Sequence, residues 1–378
     1  MELVAQKFKQ TDIGLIPNDW SIKTISEAFE IHNHLRLPLS DAVRKNMQGD
    51  FPYYGPTKIQ DYINEYRVEG EYALIGEDGD HFLKWNEFAM TQIASGRFNV
   101  NNHAHLVKGK SNITLTKWFY WFFKNRDITQ YLTRQGAGRY KLSKASLLEL
   151  PCAIPPTLEE QAAIATALSD ADKYISSLEK LIAKKRLIKQ GAMQQLLSPK
   201  ENWVVKKLGE ISEIYTGKKN NQDKVENGQY PFYVRSQTVE RINSYSFDGE
   251  AILVPGEGNI GKIFHYINGK FDYHQRVYKI SDFKNGFDGK YIYRYLSEYF
   301  GKHAMENSVK ATVDSLRLPT FQAFEIPFPP KLEEQIEIAT ILGDIDAEIS
   351  TLEKQFSKAQ NIKQGMMEQL LTGKIRLV

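Results

Sequence analysis

Three groups of side chains have types and spacings that invite a chemical reading. The segment GEGNIG at 256–261 meets the G-x-G-x-x-G spacing, and with Lys262 it also meets most of the phosphate-loop pattern. The phosphate loop needs a hydroxyl residue after its lysine to hold magnesium, and Ile263 stands there. Both motifs also need a helix next, whereas KIFHYINGKF reads as a hairpin, so a tight turn is expected instead. The related turn GEDG at 76–79 lacks both patterns, which favours a shared structural turn. His103 and His105 lack a third ligand at suitable spacing and Cys152 is isolated, so strand packing or DNA contact is expected of the histidines and no metal site. The paired carboxylates Glu159 and Glu160, and Glu333 and Glu334, fall on first helical turns, where they favour the helix dipole and carry no acid/base role. An adenine methyltransferase would show an acidic-aromatic dipeptide with prolines lying against the flipped base, and the Pro-Pro pairs here precede helices instead. No catalytic centre and no bound cofactor are expected of this chain.

The elements that carry these residues belong to a chain of 378 residues, long enough for two to four packed units. Hydrophobic residues at 42% and charged residues at 25% describe a globular protein with sizeable cores. One cysteine excludes an intramolecular disulfide and fits a reducing compartment, so the cytoplasm is the expected location. The opening MELVAQKFKQ has no apolar signal core, and no stretch has the apolar length of a membrane span. A formal charge of +3 is too small to identify a nucleic-acid partner alone.

An internal repeat is the strongest signal. Residues 155–200 recur at 329–374 without a gap: PPTLEEQAAIATALSDAD becomes PPKLEEQIEIATILGDID, and KQGAMQQLLSPK becomes KQGMMEQLLTGK. The flanks follow with small shifts, NDWSIKTISEAFEI at 18 against ENWVVKKLGEISEI at 201, and FPYY at 51 against YPFY at 230. His274 is matched with His103 in this alignment. Each duplicated segment has apolar residues at alternating steps of four and three, the seam of a coiled coil. The first seam runs from Ile164 and Leu168 through Ile182, Lys185 and Lys189 to Leu196; the second runs from Ile338 and Leu342 through Ile349 and Lys363 to Leu370. Thr157 with Glu160 predicts a capping box at the first start, Lys331 removes it from the second, and Pro199 and Gly373 mark the stops. A helix from about Leu158 to Leu197 would rise roughly 60 Å, the length of a spacer. Two matching seams pack most simply on each other, antiparallel; a seam does not name its partner, and pairing with another chain satisfies it too.

Between the helices, short runs such as AILV at 251–254 and RVYKI at 276–280 read as strands between Gly-rich turns, with helical patches at 115–125 and 290–302. The expected fold class is α+β: two similar α/β domains separated by two long antiparallel coiled-coil helices, in a pseudo-two-fold internal repeat. The boundaries are set at 1–156, 157–198, 199–330 and 331–378.

The block IPPTLEEQAAIATALSDAD, its copy FPPKLEEQIEIATILGDID and the opening FKQTDIGLIPNDW together resemble the specificity subunits of type I restriction–modification systems, over essentially the full length. The resemblance implies two target-recognition domains, each reading one half of a bipartite site on double-stranded DNA. It implies two docked methyltransferase subunits and, in the complete complex, restriction subunits that translocate DNA. S-adenosylmethionine would then belong to the methyltransferase and ATP to the restriction subunit. Side-chain chemistry nominates contacts, since Arg and Lys bond guanine and Asn and Gln bond adenine. They are Arg97, Asn99, Asn101, Arg139, Tyr140 and Lys141 in the first domain, and Lys218, Lys219, Asn220, Asn221, Arg235, Gln237 and Arg276 in the second. Partner docking is assigned to the two LEEQ segments, Leu158, Glu159, Glu160 and Gln161, and Leu332, Glu333, Glu334 and Gln335; an ordinary solvated helix start is the alternative. A protein–protein scaffold, or an enzyme with an unrecognised site, would keep the same architecture.

Overall fold

A computed structural model of the chain describes residues 7–135, 139–308 and 315–377. It divides into two compact units, Met1–Leu178 with Gln355–Val378, and Glu179–Lys354. Each unit holds one mixed α/β head and a portion of both long helices.

The first head is built on a six-stranded sheet of β1 (Phe29–Ile31), β2 (Gln48–Tyr54), β3 (Ile59–Ile63), β4 (Val68–Gly76), β5 (Thr91–Val100) and β6 (Ala104–Gly109), backed by helix α1 (Thr116–Phe123). The long helix α2 (Leu158–Leu196) follows. The second head repeats the plan with β7 (Glu213–Thr216), β8 (Tyr230–Tyr233), β9 (Glu240–Ile242), β10 (Phe247–Pro255), β11 (His265–Tyr273) and β12 (Val277–Ser281), then α3 (Gly289–Glu306) and the second long helix α4 (Leu332–Leu370). Strand order is β1-β6-β4-β5-β2-β3 in one sheet and β7-β12-β10-β11-β8-β9 in the other, the same topology. In both, one parallel pairing, β2 with β5 and β8 with β11, joins antiparallel neighbours.

The central strands read as continuous apolar runs because both sheet faces are covered. On β4, Ala73 and Ile75 enter the core that contains α1, while Tyr72 and Leu74 enter a second core with Phe98 and Leu106. On β10, Ile252 and Val254 face the core of α3, and Ala251 and Leu253 the opposite one. Each central hairpin carries two directly opposed glycines, Gly70 against Gly96 and Gly249 against Gly269. All four have positive φ, between 82° and 153°, a conformation an L side chain strains against, so both heads place glycine on each side of the ladder there. A short ladder closes each head: Ser21–Thr24 pairs with Pro151–Ile154, and Val204–Lys207 with Glu325–Phe328. Trp118 Nε1 donates to Ala153 O at 2.9 Å, and the Tyr291 hydroxyl donates to Pro327 O at 2.7 Å. Two different side chains thus make the same tie from the helix to the closing strand.

The long helices pair with each other, antiparallel, within each unit. In the first, Asp172 of α2 meets Lys363 of α4, and Glu160 meets Arg376 of the segment that follows α4. In the second, Lys189 meets Asp346 at 2.7 Å and Lys185 meets Glu348 at 2.7 Å. Every seam position named above is buried or half-buried. At the start of α2 only half of the expected capping box forms: Thr157 Oγ1 accepts from Glu160 N, but the Glu160 carboxylate turns to Arg376. Among the described residues, no helix is long and apolar enough to cross a membrane.

Candidate nucleic-acid interface

The turn that ends the long central strand gathers the polar chemistry of each head. In the second head Glu257 follows β10, Arg235 follows β8 and Arg276 precedes β12. The two guanidiniums share the one carboxylate, Arg235 at 3.2 Å and Arg276 at 3.2 Å. Beside them Gln275 Nε2 donates to Asn220 Oδ1 at 2.5 Å, and His274 Nδ1 accepts from Arg276 N at 2.9 Å. Burial, then the Arg235 and Arg276 charges, hold His274 below the usual histidine range, as an acceptor ring requires. Asn220, Arg235, Glu257, His274, Gln275 and Arg276 line an open cleft of about 520 Å³. A carboxylate behind two half-exposed guanidiniums keeps both forks extended without consuming all their donors, an arrangement suited to base edges or phosphates.

The matching turn of the first head is chemically different. Glu77 and Asp78 follow β4, and Asp78 holds His103 at 2.9 Å. Glu77 accepts from Arg36 at 2.7 Å and pairs with Lys141 at 3.3 Å. Burial opposes its ionisation, yet the Arg36 hydrogen bond still holds the Glu77 carboxyl below the usual range. His105 is fully buried, its Nε2 at 2.8 Å from Leu142 O and its Nδ1 at 2.8 Å from Arg36; burial lowers its pKa to about 4.

Equivalent hydrogen bonds give the register between the heads. Glu77 N donates to His103 O and Gly256 N to Arg276 O, both at 2.8 Å; His103 N donates to Asn101 and Arg276 N to His274. His103 therefore corresponds to Arg276, and Asn101 to His274, two residues away from the sequence alignment of His103 with His274. The GEGNIG segment is a turn followed by β11, with no helix to receive a phosphate. Among the described residues no group of His, Cys, Asp and Glu is placed to hold a metal, and burial pushes the Cys152 thiol far up.

A second duplicated feature lies on the central hairpins. Arg97 stands over the Tyr66 ring at 4.8 Å, with Glu69 at 3.3 Å and Phe51 packed on Tyr66 at 5.0 Å. Lys270 stands over the Tyr245 ring at 4.8 Å, with Tyr230 at 5.0 Å. Both tyrosines are exposed, so each head offers a cation on an aromatic plate to solvent.

The nominated residues separate accordingly. Asn220, Arg235 and Arg276 come together at the Glu257 turn with Asn221 beside them; Lys219 joins it through its backbone, and Lys218 and Gln237 are exposed. Lys141 is tied to Glu77, Tyr140 lies under Arg134, and Arg139 is exposed; residues 136–138 beside them lie outside the described residues. Arg97 sits on its own plate. Asn99 and Asn101 are corrected: both are buried, Asn99 bonded to Glu65 O at 2.7 Å and Asn101 to Gln60 at 3.0 Å, so their amides hold loops. Three docking residues are corrected likewise. Gln161 is buried, bonded to Leu115 N, Ile113 O and Pro155 O, and Gln335 makes the matching bonds to Asp288 N, Gly286 O and Pro329 O. Glu160 is buried against Arg376. Leu158, Glu159, Leu332, Glu333 and Glu334 keep some exposure, with Glu334 bonded to Lys200 at 3.0 Å. Arg36, Tyr66, Glu257, Tyr245 and Lys270 were not nominated. The tyrosines had a signal, N-x-Y-x-x-x-G at 64–70 and again at 243–249.

Two segments, 17–189 and 200–363, match the family model of the type I restriction modification DNA specificity domain, one for each head with its helix. The chain belongs to this family. It is the DNA specificity subunit of a type I restriction–modification system, a non-catalytic component. A putative type I restriction enzyme specificity subunit of Haemophilus influenzae is 28% identical over 86% of this subunit and 87% of its own length. The putative MjaX specificity subunit of Methanocaldococcus jannaschii is 25% identical over 98% and 97%. The fold of this specificity subunit is similar to that of the type I S subunit crystal structure from M. genitalium, at TM-score 0.71, 17% identity and coverage of 97% and 98%.

Proposed function

We propose that this subunit reads a bipartite site on double-stranded DNA, one half per head, and that α2 and α4 set the spacing and carry two methyltransferase subunits, with restriction subunits joining in the full complex. The carrying observation is the duplicated head in which one topology presents two different sets of polar groups at its turn. Two readers with different chemistry on one repeated frame suit a target whose halves differ. In the second head Arg235 and Arg276 read base edges, their forks matching guanine O6 and N7, with Asn220, Asn221 and Gln237 beside them. Lys218 and Lys219 neutralise phosphate. In the first head His103, Arg139, Tyr140 and Lys141 take that place, and Arg97 on Tyr66, like Lys270 on Tyr245, meets the backbone or an exposed base.

The docking reading rests on the helix surface flanking the seam. Tyr174, Leu181 and Ile188 recur every seventh residue along α2 and are exposed, as are Ile341 and Ile362 on α4. Apolar residues repeated at one heptad position outside the seam suit a further helix, which a methyltransferase subunit would supply. The test is to map methylated sites in host DNA with this subunit present and deleted. Loss of one two-part motif is expected; a contiguous motif, or no change, would reject the reading.

A further inference from the structure

Both units contain the same charged knot on the coiled coil. In the first, the Asp172 carboxylate accepts from Lys124 of the head at 2.8 Å and from Lys363, which occupies a seam position of α4. In the second, Asp346 is bridged by Arg294 of the head and by Lys189 at 2.7 Å, which occupies a seam position of α2. The acid and the seam lysine are repeat-related in both knots. The head cation is not. Arg294 falls where the first head has Trp121, and Lys124 lies three residues further on, so the two heads complete the knot from different positions.

The aspartates are half-buried and Lys124 is nearly buried, with its ammonium 4.2 Å from the Trp121 ring centroid. Burial works against ionised Asp172, yet its bonds to Lys124 and Lys363 keep the carboxyl below the usual range. A seam of apolar residues repeats every seven and tolerates a slip of one heptad; a charge at the seam does not. Sliding one helix by seven residues in one direction would set Lys363 against Ala165 and Lys189 against Ala339. The other direction would set Asp172 against Leu370 and Asp346 against Leu196. The first slip leaves both seam lysines facing alanine; the second moves them to Glu179 and Glu353 and leaves each aspartate with its head cation alone, so either slip breaks both three-membered knots.

We infer that Asp172 and Asp346 are positioning residues for target spacing: paired with the seam lysines and with a cation from each head, they select one axial register of α2 against α4. This rests on the reading that the helices set the spacer. One heptad is about 10 Å of rise, or roughly three base pairs of duplex.

The experiment uses the full chain bound to its methyltransferase partner and a set of duplexes with fixed half-sites and spacers from four base pairs shorter to four longer. Three proteins are compared with wild type: Asp172→Leu with Asp346→Leu; the isosteric Asp172→Asn with Asp346→Asn, which serves if the leucine protein does not fold; and Arg186→Leu. The last removes the exposed pair with Glu353 and leaves the knots intact. The Asp variants are expected to lose discrimination against a spacer three base pairs off by at least about tenfold, keeping their half-site bases and helical signal, while Arg186→Leu behaves as wild type. Spin labels at Lys184→Cys and Ser350→Cys read register without DNA and should show a second population displaced by about 10 Å in the Asp variants. Unchanged discrimination with a single label distance overturns the inference, and so does loss of half-site preference in step with spacing. Wild-type indifference to spacer length would instead reject the underlying reading, while the label distances still decide the register.

Discussion

The two heads share a frame to the level of single hydrogen bonds and differ in what they show at one turn. In the second, Glu257 supports two half-exposed arginines; in the first, the corresponding Asp78 supports His103, and the nearby Arg36 is drawn inward onto Glu77. Buried bonds made by Gln161 and Gln335 are superposable in kind, and so are the cations over Tyr66 and Tyr245. The comparison separates groups that hold the reader from groups that read. Frame groups make the same bonds in both copies, through identical side chains such as Gln161 and Gln335 or different ones such as Trp118 and Tyr291, whereas the groups at the turn are exposed, incompletely satisfied and bonded differently in the two copies.

The sharpest way to break that distinction is to remove a frame residue. Gln161→Leu and Gln335→Leu each leave one backbone N–H and two carbonyls without a side-chain partner where helix meets head. Each should cost about 3 kcal/mol of stability. Comparable losses from the two variants in calorimetry, against little change for Glu159→Ala or Glu333→Ala on the same turns, would uphold the shared frame. A large effect in one unit alone would show that the frames are not equivalent.

Acid should distinguish the heads nearly as strongly. His105 Nε2 and the Tyr278 hydroxyl meet equivalent carbonyls, Leu142 O and Leu316 O, but only the imidazole titrates in this range. Burial lowers the folded pKa of His105 to about 4. The unfolded chain therefore takes up this proton first, so the stabilisation is present above about pH 6.5 and is lost as pH falls towards 4, on the order of 3 kcal/mol at the limit. Chemical denaturation across this range should show a slope that His105→Tyr flattens. His265 and His274 of the second head are lowered by burial in the same direction, so a residual slope should remain.

At the reading turn the effects are smaller and confined to one half of the target. Arg276→Ala should weaken discrimination in the second half-site by about 1–3 kcal/mol, roughly five- to 150-fold, and leave the first untouched. His103→Arg would give the first head the second head's group at the equivalent position. A changed base preference in the first half-site is expected, measured by methylation of a degenerate target library. No change there would separate the turn from base reading.

The repeat and both long helices were legible in the sequence because heptad spacing and duplicated motifs are local and survive without tertiary context. Side-chain commitment was not. Asn99 and Asn101 have the residue type and strand context of base readers, yet the parallel pairing of β5 with β2 buries both. Gln161 and Gln335 sit in a charged first turn that reads as solvated, and only the arrival of the segments at 113–115 and 286–288 makes them internal. The alignment of His103 with His274 failed because one shared letter outweighed a two-residue change of register that only backbone bonds reveal. The Glu257 turn is partly legible: residue type points to Arg235, Arg276 and Asn220, while the acid that organises them stands out in the sequence only within the G-x-G-x-x-G spacing.

The aromatic plates give the finest test, because there the heads are alike and only the cation differs. Arg97 and Lys270 lie over exposed tyrosines and are weakly paired, so neither substitution should disturb folding by more than about 0.5 kcal/mol. If they meet phosphate, Arg97→Ala and Lys270→Ala should each weaken all DNA sequences alike by about 1 kcal/mol and reduce the slope of log affinity against log salt by about one. Tyr66→Ala and Tyr245→Ala would lower affinity through lost stacking with the salt slope preserved, if a splayed base rests on the ring. Equal losses in the two heads would place the plates with the frame. A loss in one half-site that depends on its bases would move that plate to the reading surface, and would extend the difference between the heads beyond the Glu257 and Asp78 turns.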